Sequence, residues 1–146
     1  MFTTKIFLTQ TDTTIGFLSQ DAKKLCEIKS RKTSKPFIKV YQNFKSFLDD
    51  GNRVPTSKKN LVRRSKKTTF IVKNRAFRVA KILLDSKIIR DSKWYYSTSA
   101  NRAGENFYRE FCESKADIII EDKKGLSENS SSNLIKINNI KKSRLR

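Results

Sequence analysis

Three polar blocks, separated by strand-like and helix-like runs, carry the residues that could do chemistry. Trp94-Tyr95-Tyr96-Ser97-Thr98-Ser99-Ala100-Asn101-Arg102-Ala103-Gly104 is an aromatic run ending in hydroxyls, an amide and a glycine. Such groups at the carboxyl end of a strand can converge on a polar ligand in the usual crevice of an α/β sheet. The same residues also fit an ordinary loop, where Ser, Asn and Gly are common. Thr9-Gln10-Thr11-Asp12-Thr13-Thr14-Ile15-Gly16-Phe17-Leu18 adds Thr11 and Thr13, whose hydroxyls either meet a ligand or satisfy local backbone. Lys29-Ser30-Arg31-Lys32-Thr33-Ser34-Lys35-Pro36-Phe37 adds the cations. Arg31 offers a planar fork and Lys35 a point charge, a pair suited to a triphosphate, while Lys29, Arg31 and Lys35 also fit a solvated helix end and loop.

What is missing narrows the chemistry. The chain has no histidine, which excludes a Ser-His-Asp triad and the usual His-containing zinc sites. No residue is assigned as nucleophile, base or metal ligand, so catalysis would work by positioning and charge. A formal charge of +19, from 33 basic and 14 acidic residues, points to phosphate-bearing partners. Charge alone does not separate RNA from nucleotide or from an anionic membrane face.

The elements that must position these groups follow from pattern. At 146 residues the size prior gives one domain, residues 1–146. Lys5 to Leu8 reads as a strand ending at Thr9 to Thr11, with Gly16 closing a turn. Ser19 is the expected N-cap of a helix over Asp21 to Lys29. Arg31 to Lys35 is a basic loop, which Pro36 ends by forcing an extended chain into a strand, Phe37 to Tyr41. Asn43 to Asp50 reads as a short helix, and Pro55 with Ser57 starts another that runs through Lys67. A strand is expected within Ser65 to Val72, and Ala76 to Ala80 reads as a further strand after a Lys73-Asn74-Arg75 turn. Ile82 to Asp91 is helix-compatible and leads into the Trp94 strand. Glu105 to Ser114 has helical spacing, and Ala116 to Ile120 is a β-branched run expected to be a strand buried on both faces. Ser127 to Asn133 is loop-like, Leu134 to Ile137 a last strand, and Asn138 to Arg146 a basic tail. Alternating strands and helices predict an α/β (α+β) fold with an open twisted mixed sheet and flanking helices.

Cys26 and Cys112 lie far apart with no C-x-x-C and are expected to be reduced, partly buried thiols. No apolar run approaches the roughly 18 residues of a membrane span, and no leader is evident at the N-terminus, so a cytoplasmic protein with no membrane partner is expected.

The three blocks, in this order, resemble the YrdC/YciO family of threonylcarbamoyl-AMP synthases, with its P-T-D-T-x-Y-G-L, K-x-R-x-x-x-[KN]-P-L and S-x-S-A-N-x-x-G signatures. The resemblance spans nearly the whole chain. It departs at Gln10 for the proline, Ile15 for the tyrosine and Val40 for a common histidine. A proline-glycine turn before Thr68 is also absent, the middle is shortened, and the helix that usually precedes the first strand is missing, which suggests a trimmed N-terminus.

The resemblance implies a YrdC-like fold and an L-threonylcarbamoyladenylate synthase joining L-threonine, bicarbonate and ATP, with release of pyrophosphate. The product would serve tRNA threonylcarbamoyladenosine modification. By the same carry-over Lys29, Arg31, Lys35, Thr69, Ser99, Asn101, Ser132 and Arg146 would bind ATP. Thr11, Lys73 and Ser97 would bind L-threonine. ATP enters as substrate and brings its Mg2+ with it. Transfer RNA or double-stranded RNA and a downstream threonylcarbamoyl-transferase complex are the implied macromolecular partners. The competing reading is a non-catalytic RNA- or nucleotide-binding domain of the same fold.

Overall fold

A computed structural model describes residues 4–30, 36–80, 92–138 and 142–146. The described strands form one mixed sheet. In chain order they are β1 (Phe7–Gln10), β2 (Ile15–Ser19), β3 (Ile38–Tyr41), β4 (Thr68–Val72), β5 (Arg75–Val79), β6 (Trp94–Ser99), β7 (Ile118–Ile120), β8 (Asn133–Ile137) and β9 (Lys142–Arg144). Their spatial order is β7-β1-β2-β6-β3-β5-β4-β8-β9. β1 with β7, β3 with β5 and β4 with β8 pair in parallel, and the remaining neighbours pair antiparallel. The helices are α1 (Ala22–Lys29), α2 (Phe44–Asp49), α3 (Lys59–Arg64) after a 3-10 turn at Thr56–Lys58, and α4 (Arg109–Lys115).

Strand alternation gives the sheet two different faces. Leu8, Ile15 and Phe17 point to one side, where they pack with Leu25 and Cys26 of α1 and Cys112 of α4. Phe70, Phe77 and Tyr41 share that side and pack with Phe44 and Phe47 of α2 and Val62 of α3. The register places Thr9, Gly16, Ser97, Ser99, Ile38, Arg78 and Thr69 on the opposite side. The helices cover one face, and the polar positions gather on the other beside a smaller apolar cluster of Phe7, Leu18 and Tyr95.

Several expectations are corrected. Ile15 to Ser19 is a buried strand rather than a turn, and Gly16 lies within it, paired with Ser99. A Cβ there would sit 3.1 Å from Thr11 Cγ2 and 3.2 Å from the Thr98 carbonyl oxygen, so close packing rather than chain reversal calls for glycine. Asp21, not Ser19, caps α1, its carboxylate accepting from the Lys23 and Lys24 amides. Ser19 is the last residue of β2 and accepts from the Asp21 amide. α4 begins at Arg109 rather than Glu105, because the turn ending at Gly104 (φ 79°) continues as extended chain up to Tyr108.

β7 is not buried on both faces. It is an edge strand, and Ile119 is 42% exposed. The expected tail contains β9, which pairs with β8 through Ile135↔Arg144 and Ile137↔Lys142. Lys142-Ser143-Arg144 has no apolar pattern. Backbone pairing makes it a strand, and charged side chains are how sheet edges resist further pairing. The helix expected over Ile82 to Asp91 lies outside the described residues.

Cys26 and Cys112 are free and buried, and burial raises the Cys112 pKa above its ordinary value, which suits an inert thiol. Among the described residues no helix is long and apolar enough to cross a membrane.

Candidate functional site

The polar face of the sheet carries an open cleft of about 400 Å³ lined by Thr11, Thr13, Gly16, Ile38, Arg78, Ser97, Ser99, Ser132 and Arg146, among others. β2 and β6 supply Gly16, Ser97 and Ser99 side by side, since Gly16 pairs with Ser99 and Leu18 with Ser97. β3 adds Ile38 opposite Ser97. Ser132 enters from the loop before β8, whose parallel pairing with β4 sets Asn133 against Thr68.

The far wall is a hydrogen-bonded chain of hydroxyls and guanidinium groups. Thr69 Oγ1 and Ser132 Oγ are 2.7 Å apart, and Arg78 Nη1 donates to Thr69 Oγ1 at 3.4 Å. Arg146 Nε donates to the Ser132 carbonyl oxygen at 2.9 Å. Arg78 Nε donates to Asp12 Oδ1 at 3.1 Å, with the arginine side chain only 4% exposed. Burial pulls the Arg78 pKa below its ordinary value, Asp12 opposes this, and Arg146 adds to it. Two guanidinium side chains line this wall and one, Arg78, pairs with the Asp12 carboxylate, which leaves Arg146 as a cation suited to a phosphate or carboxylate.

The near wall is a turn. Thr11 Oγ1 donates to the Thr14 carbonyl at 2.5 Å and accepts from the Thr13 amide at 3.2 Å. The hydroxyl thus satisfies local backbone, one of the two readings of Thr11, and its side chain lines the cleft. Ser97 is 9% exposed and faces the cleft with Ser99.

The sequence-predicted residues separate into groups. Thr11, Ser97, Ser99, Ser132 and Arg146 line the cleft together. Thr69 is fully buried behind Ser132, so it supports the wall. Lys29, 6% exposed, turns its ammonium inward onto the Ser99 carbonyl at 3.0 Å and the Asn101 carbonyl at 2.8 Å. Asn101 accepts from Lys29 and from Ser99 Oγ and donates to the Glu105 carbonyl. Lys29 and Asn101 thus build the turn that presents Ser99. Lys73 does not reach the cleft: it sits in the two-residue β4–β5 turn at φ 50° and lines a separate depression. Arg31 and Lys35 lie outside the described residues, between Ser30 at the end of α1 and Pro36 in the cleft wall.

Sequence reasoning missed Arg78 and Gly16. The available signal for Arg78 was a cation alternating with Phe77 and Val79 in a strand with core residues on its other face, a place where an unpaired charge is costly. Among the described residues no group of three His, Cys, Asp or Glu side chains could hold a metal ion. Asp12 is the carboxylate nearest this wall and already pairs with Arg78.

No protein-family model matches the sequence, and no curated protein matches it either. Solved structures do. Sua5 of P. abyssi superposes with a TM-score of 0.79 as a double-alanine variant and 0.75 in complex with L-threonine, each at 18% identity over 97% of this chain. The chain spans about half the length of those Sua5 chains, 52% and 50%. E. coli YciO matches with a TM-score of 0.75 at 14% identity, covering 98% of this chain and 82% of its own. Full-length HypF in its phosphate- and nucleotide-bound form matches at 0.74 and 14% identity, covering 97% of this chain and 26% of its own. At these identities the likeness is one of fold, and its coverage extends over nearly every element described above. The chain has the mixed α/β fold shared by the YrdC-like proteins Sua5 and YciO.

Proposed function

We propose that this chain, with residues 1–146 acting as one domain, is a threonylcarbamoyl-AMP synthase. The observation that carries the proposal is the gathering of Thr11, Ser97, Ser99, Ser132, Arg78 and Arg146 on one sheet face around a single cleft. The Sua5 match in complex with L-threonine and the HypF match in nucleotide-bound form support an amino acid and a nucleotide as its occupants.

The chemistry suits groups that position and neutralise. The amine of L-threonine attacks bicarbonate carbon, a C–N bond forms and water leaves, giving a carbamate. A carbamate oxygen then attacks the α-phosphorus of ATP, and the bond to pyrophosphate breaks. No protein nucleophile is required. Holding the reactants in line raises their effective concentration, and fixed cations stabilise charge growing on pyrophosphate. Arg78 and Arg146 provide such cations in the cleft. Arg31 and Lys35 of the block that ends at Pro36 are the further cations the reading draws on. Ser97, Ser99 and Ser132 orient the reactants by hydrogen bonds, and Mg2+ arrives with the triphosphate. The product would pass to a transferase that modifies tRNA in the cytoplasm.

The test is pyrophosphate release by the purified chain. It should require L-threonine and bicarbonate together with ATP, and Arg31→Ala should lower turnover by about 2 to 4 kcal/mol in the barrier. Arg31→Lys should recover part, because an ammonium lacks the planar fork. A second reading, nucleotide binding without turnover, is favoured by one observation: the Thr11 hydroxyl proton is directed at Thr14. ATP binding with no release under any combination of reactants would select it.

A further inference from the structure

The charges of this chain are segregated. Residues 51–80 contain ten Lys and Arg and residues 129–146 five more, with no Asp or Glu in either stretch. These stretches build α3 and the adjoining strands β5, β4, β8 and β9, which stand together at one end of the sheet. All 14 acidic residues lie elsewhere in the sequence. Arg78 pairs with Asp12 from the other end of the sheet. Among the described residues no other cation of these stretches is in a salt bridge.

Within this basic half is a depression of about 430 Å³, away from the cleft; between its lining residues Phe47 and Gly51 the chain carries Asp49 and Asp50, which pair with Lys45 and Lys39. Arg53, Lys73 and Arg75 rim it, and the edges of Phe47 and Phe77, stacked at 4.4 Å, floor it. Arg53 is held toward it by donating to the Leu48 and Asn52 carbonyl oxygens. Lys73 and Arg75 are placed by the tight hairpin, in which Val72 pairs with Arg75 and both intervening residues take positive φ.

We propose that Arg53, Lys73 and Arg75 form a phosphate-binding depression that anchors the sugar-phosphate backbone of an RNA on this basic half of the sheet. A free nucleotide needs only a few cations, whereas the twelve described cations of these stretches other than Arg78 and Arg146, which line the cleft, fit a polyanion that crosses this half. A membrane surface fits poorly, since interfacial binding needs apolar side chains to insert. Leu145 is the one large exposed hydrophobic residue described in this half. The site also accounts for Lys73, which the cleft does not use. This proposal is independent of the adenylation chemistry.

The experiment measures binding of a labelled tRNA or 20-base-pair RNA duplex to the full chain across a salt series. Arg53→Glu/Arg75→Glu and, separately, Lys73→Glu are compared with the equal reversal Lys23→Glu/Lys115→Glu outside these two stretches, where all the acidic residues lie. The rim double reversal should weaken RNA binding about tenfold or more at low salt and reduce the log-log salt slope by about 2. The control reversal should change it much less, and pyrophosphate release by Arg53→Glu/Arg75→Glu should match that of the parent chain. Arg53→Gln/Arg75→Gln gives the same comparison with smaller change if the reversal does not fold. Equal losses from both halves, or anionic vesicles bound in preference to RNA, would overturn the proposal. So would a Lys73→Glu variant with intact RNA binding and a raised L-threonine requirement.

Discussion

Arg78 Nε lies 3.1 Å from Asp12 Oδ1, with the two side chains 4% and 14% exposed. The turn after β1 is thereby joined to β5 across the middle of the polar face. A charge removed from one side leaves its partner buried and uncompensated, which costs more than the pair contributes. Arg78→Met is expected to destabilise the fold by about 3 kcal/mol, and Asp12→Asn/Arg78→Met together by much less. Denaturant unfolding of the four proteins in the cycle is the measurement. If the double variant is as unstable as the sum of the singles, the pair is not coupled and the cleft wall is held by other contacts.

Lys29 tests how the Ser99–Asn101 turn is held. Its ammonium meets two backbone carbonyls and the Asn101 side chain, and Ser99 Oγ donates to that same side chain. Hydrogen bonds to a charged group contribute about 1.5 to 3 kcal/mol each when one partner is removed. Lys29→Met should weaken nucleotide binding through the turn, so adding Ser99→Ala should cost little more. The check is a double-mutant cycle on ATP affinity. Strict additivity would mean that Lys29 and Ser99 act on the ligand separately.

Much of this organisation is legible in the sequence where local pattern and tertiary pattern agree. The run within Ser65 to Val72, the one starting at Trp94 and the one over Leu134 to Ile137 are β-rich and hold strands, and the helix expected over Asn43 to Asp50 is α2, capped by the Asn43 side chain on the Ser46 amide. Patterning failed where pairing partners decide. Ile15-Gly16-Phe17 is a strand because β1 and β6 flank it on both sides. Lys142 to Arg144 is a strand because β8 offers an open edge. At the site, the motif residues Thr11, Ser97, Ser99 and Ser132 did converge. Sequence spacing could not show that Lys29 and Asn101 face inward, because they bond each other across 72 positions and otherwise largely meet backbone carbonyls that any sequence possesses. Nor could it place Lys73, whose position depends on a hairpin register.

Asp50 is one source of acid sensitivity. Burial pushes its carboxyl up, but donation from Lys39 Nζ and Tyr41 Oη outweighs this and holds the pKa below the ordinary carboxylate value. Both contacts are 2.6 Å. Burial, then the bond to Asp50, raises Tyr41, so the phenol stays protonated and remains a donor. A carboxyl whose pKa is lower folded than unfolded contributes stability that is fully present above about pH 4 and is lost as pH falls through the folded value. Thermal melts from about pH 6 down to pH 3 should therefore show the parent losing stability with acid more steeply than Asp50→Asn. Parallel curves would mean that other carboxylates carry the whole acid transition.

Gly16 joins fold and cleft at one atom. An added Cβ would approach Thr11 Cγ2 at 3.1 Å, the Thr98 carbonyl oxygen at 3.2 Å and Ser97 Oγ at 3.8 Å, so it would occupy the floor between the two walls. Overpacking of this kind costs about 1 to 3 kcal/mol, and Gly16→Ala should lower stability by that amount while reducing affinity for L-threonine. Thr11→Ser removes the clashing methyl and retains the hydroxyl that bonds the Thr14 carbonyl. The pair Gly16→Ala/Thr11→Ser should therefore recover most of the lost stability, read by urea unfolding. L-threonine affinity should recover less, because the new methyl still fills the floor. If stability does not return, the rigid Thr98 carbonyl rather than the Thr11 methyl sets the limit, and β2 needs glycine for its pairing with β6 alone.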